Sequence, residues 1–266
     1  MTFLTIFTSP KPFTKNPHIN LIQRNAIQSW LHLGPEIEVF MMGDEAGMAE
    51  VAADYHIRYF PDVRVNEMNT PLLSSMFQIA REASQAPYLM FTNADILFLP
   101  DVLEATRQVA EQAKDFLLLG RRWDLEVEVQ LDFSPGWDQR LRLDVGERGR
   151  LHAPVGSDFF IYPHHLMTDM PEFAIGRSGW DNWTIYHGRE EGWAVVDITA
   201  MIVQEAARGV RDHRFHFWDA QIWATAKLHQ IPLIFSEDFN VDGVIEGVQF
   251  ANPFAGDFQV EDWLGK

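Results

Sequence analysis

The sequence predicts an α/β fold, a mostly parallel sheet flanked by helices with an inserted segment near one sheet edge. Three observations predict it. Short apolar runs alternate with segments of helical period from residue 3 to residue 120, the pattern of β-α-β units with right-handed crossovers. Tyr88-Leu-Met-Phe is continuously apolar, as a strand covered on both faces must be. Third, that run breaks into Asn93-Ala94-Asp95 and turns apolar again at Ile96, so two short polar side chains stand where ligands of open α/β sheets collect.

The elements follow in order. Phe3 to Thr8 is a short β-rich run that ends at Thr8-Ser9-Pro10 and opens a loop carrying Pro12 and Pro17. Leu21, Ile22, Ala26, Ile27, Trp30 and Leu33 recur at helical spacing from Asn20 to Leu33, and Gly34-Pro35 stops the pattern. Glu36 to Met42 reads as a strand ending at Gly43-Asp44, with a helix over 47–55 and a third short strand at Ile57 to Phe60. Leu72 to Ser84 is a helix with Leu73, Phe77 and Ala80 on one face, ahead of the strand at Tyr88. A helix to about Lys114 and the apolar strand Phe116 to Gly120 complete the first part. Residues 121–150 are charged, carry Pro135-Gly136 and lack a sustained period, which predicts an insertion over the active-site face. Strand character returns at Ser157 to Tyr162, and the Gly- and Asp-rich tail from 236 to 266 has no readable role. The organisation expected is one domain over 1–266, with a nucleotide-binding half over about 3–120 and an acceptor half over about 121–235.

Composition narrows the function. With 47% hydrophobic residues and 13% aromatics, the 266-residue chain can bury a full core and is not a disordered chain. A formal charge of −17 without a basic stripe argues against nucleic-acid binding and against docking on anionic lipid. No apolar run approaches the roughly twenty residues of a membrane span, the amino terminus lacks a secretion-signal layout, and there is no Cys. A cytoplasmic protein is the expectation. Dinucleotide and P-loop glycine patterns and a Gly-x-Ser-x-Gly elbow are also absent from the sequence.

Residues i and i+2 of an extended segment point the same way, so oxygens of Asn93 and Asp95 can converge on one hard cation that neutralises a diphosphate. A second stretch, Gly179-Trp180-Asp181-Asn182-Trp183, sets a carboxylate at the start of a helical segment, where it can take a proton from an attacking hydroxyl or serve as an N-cap. The strand running into Asn-Ala-Asp, followed later by Gly-Trp-Asp-Asn, resembles the GT-A glycosyltransferases, and the likeness spans roughly residues 3 to 220. One departure is Asn93, which stands where the family's Asp-x-Asp element has a carboxylate.

The resemblance implies transfer of a sugar from a nucleotide-diphosphate sugar to an acceptor hydroxyl, with Mn²⁺ or Mg²⁺ held by Asn93 and Asp95. Asp181 becomes the base of an inverting displacement. His213 is the implied third metal ligand, with His216 second. Thr8, Ser9, Asp44 and Arg24 are implied for the nucleoside, while Arg122, in the run Arg121-Arg122-Trp123-Asp124, can balance phosphate charge or form a surface ion pair. Asp158, Trp180 and Asn182 are implied for the acceptor, and Trp123 for stacking on a sugar ring. Two alternatives stand beside this reading: a nucleotidyltransferase of the same fold, which expects a Gly-rich basic loop where Thr8-Ser-Pro-Lys stands, and a non-catalytic sugar-nucleotide or glycan binder.

Overall fold

The computed structural model describes residues 1–152, 157–177, 179–197, 200–228, 231–237, 239, 243–255 and 258–259. The chain divides into two compact units, Met1–Asp197 and Ile198–Lys266. The strands on either side of residue 120 belong to one sheet, and the division between the units falls at 197.

In the first unit the elements are β1 (Leu4–Thr8), α1 (Pro17–Leu31), β2 (Ile37–Met42), α2 (Met48–Asp54), β3 (Arg58–Phe60), α3 (Leu73–Ala83), β4 (Tyr88–Thr92), α4 (Asp101–Gln112) and β5 (Phe116–Gly120). There follow β6 (Trp123–Asp124), α5 (Trp137–Arg148), β7 (Arg150–Leu151), β8 (Phe159–Pro163), α6 (Trp180–Glu190) and β9 (Ala194–Asp197). Seven strands form one sheet in the order β3-β2-β1-β4-β8-β5-β9. Every pairing is parallel except those of β8, which runs antiparallel to β4 and to β5. The α/β class expected from the sequence is the one observed.

The antiparallel strand has a simple cause. β5 ends at the carboxyl edge of the sheet, and the chain re-enters the sheet from that edge at Asp158, so β8 must run opposite to its neighbours. The intervening segment holds the β6–β7 ladder and α5, a helix that the sequence did not announce. Only Trp137 and Leu141 of α5 are buried, too few apolar positions to write a helical period. Part of this insertion docks on helices rather than over the sheet edge: Asn25 of α1 donates to the Val129 carbonyl at 3.0 Å and accepts from the Leu131 amide, and Arg142 pairs with Asp101 of α4 at 2.6 Å.

α1 starts three residues earlier than its apolar period suggests. The Asn16 carboxamide oxygen accepts from the amides of His18 and Ile19, and Pro17 occupies the first helical position, where its missing N–H costs nothing.

One face of the sheet presents Phe7, Phe40, Leu89, Phe91, Leu119 and Phe160 to a core that includes Leu73, Met76 and Phe77 of α3 and Trp180 of α6. Phe7 meets Phe77 and Phe91 edge-on at centroid distances of 5.0 and 5.5 Å. Full burial of each such ring contributes roughly 1.5–3 kcal/mol. This packing fixes the height at which β4 ends, and with it the position of Asn93.

The second unit holds α7 (Ala200–His213), α8 (Phe217–Leu228) and the strands β10 (Leu233–Phe235), β11 (Val244–Ile245) and β12 (Val248–Ala251), ordered β10-β12-β11. The tail with no readable role supplies two of these strands up to Ala251, and its last residues, 260–266, lie outside those described. Glu246 and Gly247 form the β11–β12 turn with φ of 48° and 88°. The Glu246 carboxylate accepts from Arg208, Lys227 and His213.

Candidate functional site at the carboxyl edge of β1 and β4

β1 lies between β2 and β4, so the chain leaves it first toward one side of the sheet and later returns on the other. Such a reversal opens a crevice at the carboxyl ends of the two strands, the place where open α/β sheets bind ligands. Thr8 and Thr92 close the floor of this crevice, the buried Thr8 hydroxyl donating to the Thr92 carbonyl at 2.7 Å. Asn93 follows directly.

The chain around Asp158 walls the crevice from the β8 side. The Asn93 amide and the Thr92 hydroxyl both donate to the Asp158 carbonyl, at 3.0 and 3.2 Å. The Asn93 side-chain amide donates to Asp158 Oδ1 at 3.1 Å. Arg122, just past β5, donates from Nη1 to both Asp158 oxygens at 2.8 and 2.9 Å and from Nε to Asp124 Oδ1 at 2.8 Å. His152 completes the network, with Nδ1 at 2.8 Å from Asp124 Oδ2. The Asp158 side chain is only 9% exposed, so its ionised oxygens need these partners. With a carboxylate that can only accept, the Asn93 amide must present its nitrogen to Asp158, leaving the Asn93 oxygen for another partner.

Burial opposes the charge on Arg122, but its bonds to Asp124 and Asp158 outweigh this and raise its pKa. The hydrogen bond from His152, and then those from Arg122, hold Asp124 below the usual carboxylate range. Arg122 is therefore committed to carboxylates from Asp124 and Asp158, a structural use that differs from the phosphate partner expected. Asp158 is equally committed, to Arg122 and Asn93, rather than open to an acceptor.

Asp95 is exposed, two residues beyond Asn93 and separated from it by the buried Ala94. At the end of β2, Asp44 accepts from the Tyr59 hydroxyl at 3.2 Å, and burial first, then this bond, raises the Tyr59 pKa. Gly43, with φ of 112°, lies so close to Ser9 that a Cβ there would stand 3.2 Å from its hydroxyl oxygen. Thr8, Ser9, Asp44, Asn93 and Asp95 thus share one edge of the sheet. Arg24 does not join them: it bonds Asn20 at 2.8 Å and pairs with Asp54 at 3.4 Å, since its helix turns that face toward α2.

Trp180 is core rather than an acceptor platform. It is 7% exposed and meets Phe91 and Phe160 edge-on at 5.0 and 5.2 Å. That packing seats the first turn of α6 against β4 and β8 beside their crevice ends, with Asp181 half-buried and Asn182 exposed in that turn. Gly179, at φ 108°, is the N-cap, so Asp181 is not the cap. Trp123 is partly buried, and its indole N–H is buried without a hydrogen-bond partner among the described residues. His213, the implied third metal ligand, ends α7 in the second unit with Nε2 at 2.8 Å from Glu246 Oε1. His216 lies past the end of that helix, so the two His do not share a helical face.

Two residues of the crevice network, His152 and Asp124, were missed as candidates. Asp124 sits in the Arg121-Arg122-Trp123-Asp124 run, but its partner lies 28 residues away across the β6–β7 ladder, a spacing with no local signal. Among the described residues no group of three or more His, Cys, Asp or Glu side chains could hold a metal ion. Asn93 and Asp95 do not continue an extended segment as the sequence suggests: the Ile96 amide donates to the Asn93 carbonyl at 3.4 Å, so Ala94 and Asp95 stand in a turn and the i, i+2 alternation of a strand does not align their side chains.

No protein-family model and no curated protein matches the chain. Solved structures similar to it include a protein from Desulfovibrio desulfuricans G20 assigned as a nucleotide-diphospho-sugar transferase, at 11% identity over 87% of this chain and 99% of that one, with a TM-score of 0.45. Another is glucosyl-3-phosphoglycerate synthase from Mycobacterium tuberculosis with Mn²⁺, uridine diphosphate and phosphoglyceric acid, at 14% identity over 75% and 69% of the chains, TM-score 0.47. A third is 4-diphosphocytidyl-2C-methyl-D-erythritol synthase from Anaerococcus prevotii DSM 20548, at 14% identity over 86% and 96%, TM-score 0.42. With TM-scores below 0.5, these likenesses carry no functional argument. Among the described residues no helix is long and apolar enough to cross a membrane.

Proposed function

We propose that the chain is a glycosyltransferase that moves a sugar from a nucleotide-diphosphate sugar to an acceptor hydroxyl, with inversion. One observation carries the reading: Asn93 and Asp95 stand at the crevice between the carboxyl ends of β1 and β4, where the strand order reverses. The nucleoside is assigned to the Ser9, Gly43 and Asp44 side of that crevice, and the diphosphate to the Asn93 and Asp95 side. A bound divalent cation supplies counter-charge for the diphosphate. This fits the rest of the wall, where Arg122 is already matched by Asp124 and Asp158. Asp181, in the first turn of α6, is assigned as the base that takes the acceptor proton, and Asn182 as its exposed neighbour toward the acceptor. A cytoplasmic location goes with this reading.

The non-catalytic binder remains a second reading because of one observation, the use of Asn93 as a donor to Asp158, which leaves one metal-facing oxygen where a carboxylate would offer more. Calorimetry with a panel of nucleotide-diphosphate sugars, with and without Mn²⁺, followed by a transfer assay, tests both. The transferase reading expects metal-strengthened binding that Asp95→Ala removes, together with turnover. Equal affinity with Mn²⁺ and with excess chelator would sink the metal assignment, and metal-dependent binding without turnover or donor hydrolysis would favour the binder.

A further inference from the structure

On the flank of α3, away from the β1–β4 crevice, lies a cavity of about 180 Å³ walled by two arginines, Arg64 and Arg81. Its lining contains no carboxylate, in a chain whose net charge is −17. The helix builds one wall by its period: Ser74, Gln78 and Arg81 fall on one stripe, while Leu73, Met76 and Ala80 turn into the core. The opposite wall is the segment after β8, where Met167 adopts φ 56° and is buried, an uncommon conformation for an unbranched apolar residue. That turn aims the Met167 carbonyl at Arg81, which donates to it from Nη1 at 3.1 Å. Phe77, Met167 and Met170 also line the cavity, whose exposed surface is mainly polar.

Neither arginine is saturated. Among the described residues the Arg81 guanidinium has one hydrogen-bond partner, a neutral carbonyl, and no carboxylate within ion-pair distance. Arg64 pairs with Glu172 at 2.6 Å, but the two side chains are 55% and 67% exposed, and an ion pair so open to water is readily exchanged. Its Nη2 also donates to the Ser74 hydroxyl, which leaves the Ser74 proton for a further acceptor. Thr168 adds a second hydroxyl to the lining. Two guanidinium forks and two hydroxyls around a small polar pocket match a tetrahedral oxyanion, whose oxygens accept bidentate N–H pairs.

We infer that this cavity is a second, metal-independent binding site for a phosphate group, either inorganic phosphate or the phosphoryl end of a small phosphomonoester. The volume suits a small group rather than a nucleotide. It shares no described residue with the crevice and does not depend on the sugar-transfer reading.

Calorimetric titration of the full chain with inorganic phosphate and, separately, with glycerol phosphate, both in chelator, tests it. Binding of either to the wild type is expected, and loss of one charge-assisted contact in Arg81→Gln or Arg64→Gln should weaken it by about tenfold or more. Asp95→Ala should leave it unchanged. Tighter binding of glycerol phosphate than of phosphate assigns the cavity to the monoester, and the reverse to the free ion. Arg64→Gln guards against a folding defect, since its side chain is exposed, and circular dichroism should show both variants folded. Absence of binding at millimolar phosphate, unchanged affinity in folded Arg64→Gln, or loss of binding in Asp95→Ala would each overturn the inference.

Discussion

The Asn93 side-chain nitrogen lies 3.1 Å from Asp158 Oδ1, and Asp158 is in turn gripped by Arg122 through both of its oxygens. An amide is therefore the side chain that this position can use. A carboxylate at 93 would face the Asp158 carboxylate across a hydrogen-bond distance, with one guanidinium to neutralise both.

Asn93→Asp should for this reason destabilise the fold at pH 7 by about 1–3 kcal/mol, the cost of a broken bond to a charged, largely buried partner. Repulsion raises one of the two carboxyl pKa values in the folded state, so the destabilisation should shrink as pH falls toward 5. Urea unfolding at the two pH values measures this. A variant as stable as wild type at pH 7 would mean that the Asn93–Asp158 bond contributes nothing.

Asp181→Asn should lower sugar transfer by about 10² to 10⁴ if Asp181 is the base, with donor affinity nearly unchanged. Because Gly179 caps the helix, the substitution removes only a favourable charge from the first turn, about 0.3–1 kcal/mol of stability. Rates and melting temperatures of the same preparation separate the two effects. Wild-type turnover would remove Asp181 from the mechanism.

Trp180→Ala should cost about 3–5 kcal/mol, since it empties a buried site against Phe91 and Phe160. Trp180→Phe should restore most of that stability. If transfer falls in the Phe variant while donor binding holds, the ring positions the α6 turn rather than only filling space. Denaturation curves and steady-state kinetics on both variants decide it.

Glu246 governs the acid limb of the second unit. Hydrogen bonds from Arg208 first, then Lys227 and His213, hold its carboxyl well below the usual glutamate range. A depressed carboxylate contributes stability above its unfolded pKa, about 4.3, and that contribution is lost as pH falls through the lower folded value. Hydrogen exchange in α7 and α8 should accordingly begin to rise once pH drops below about 4. In Glu246→Gln exchange should be faster at pH 7 and less sensitive to acid. An unchanged acid response in that variant would show that the turn carboxylate does not hold the unit together.

How much of this was legible in the sequence depends on the range of the interaction. Local signals sufficed for the first five strands of the large sheet and their helices, because an apolar run or a 3.6-residue period is written in neighbouring residues. They also placed Asn93 and Asp95 at a strand end, while the helix start at Asp181 was what the resemblance implied. The tertiary structure decided what those residues face. Whether Arg122 meets phosphate or carboxylate rests on Asp158 and Asp124, and Arg122 and Asp158, 36 positions apart in sequence, become adjacent only because β8 enters the sheet backwards between β4 and β5. Trp180, implied for the acceptor by the resemblance, is enclosed by Phe91 and Phe160, and α5 carries too few buried residues to write a period. Periodicity records which side of an element is buried, whereas ion pairs across a sheet edge depend on register and strand order, which no single segment encodes.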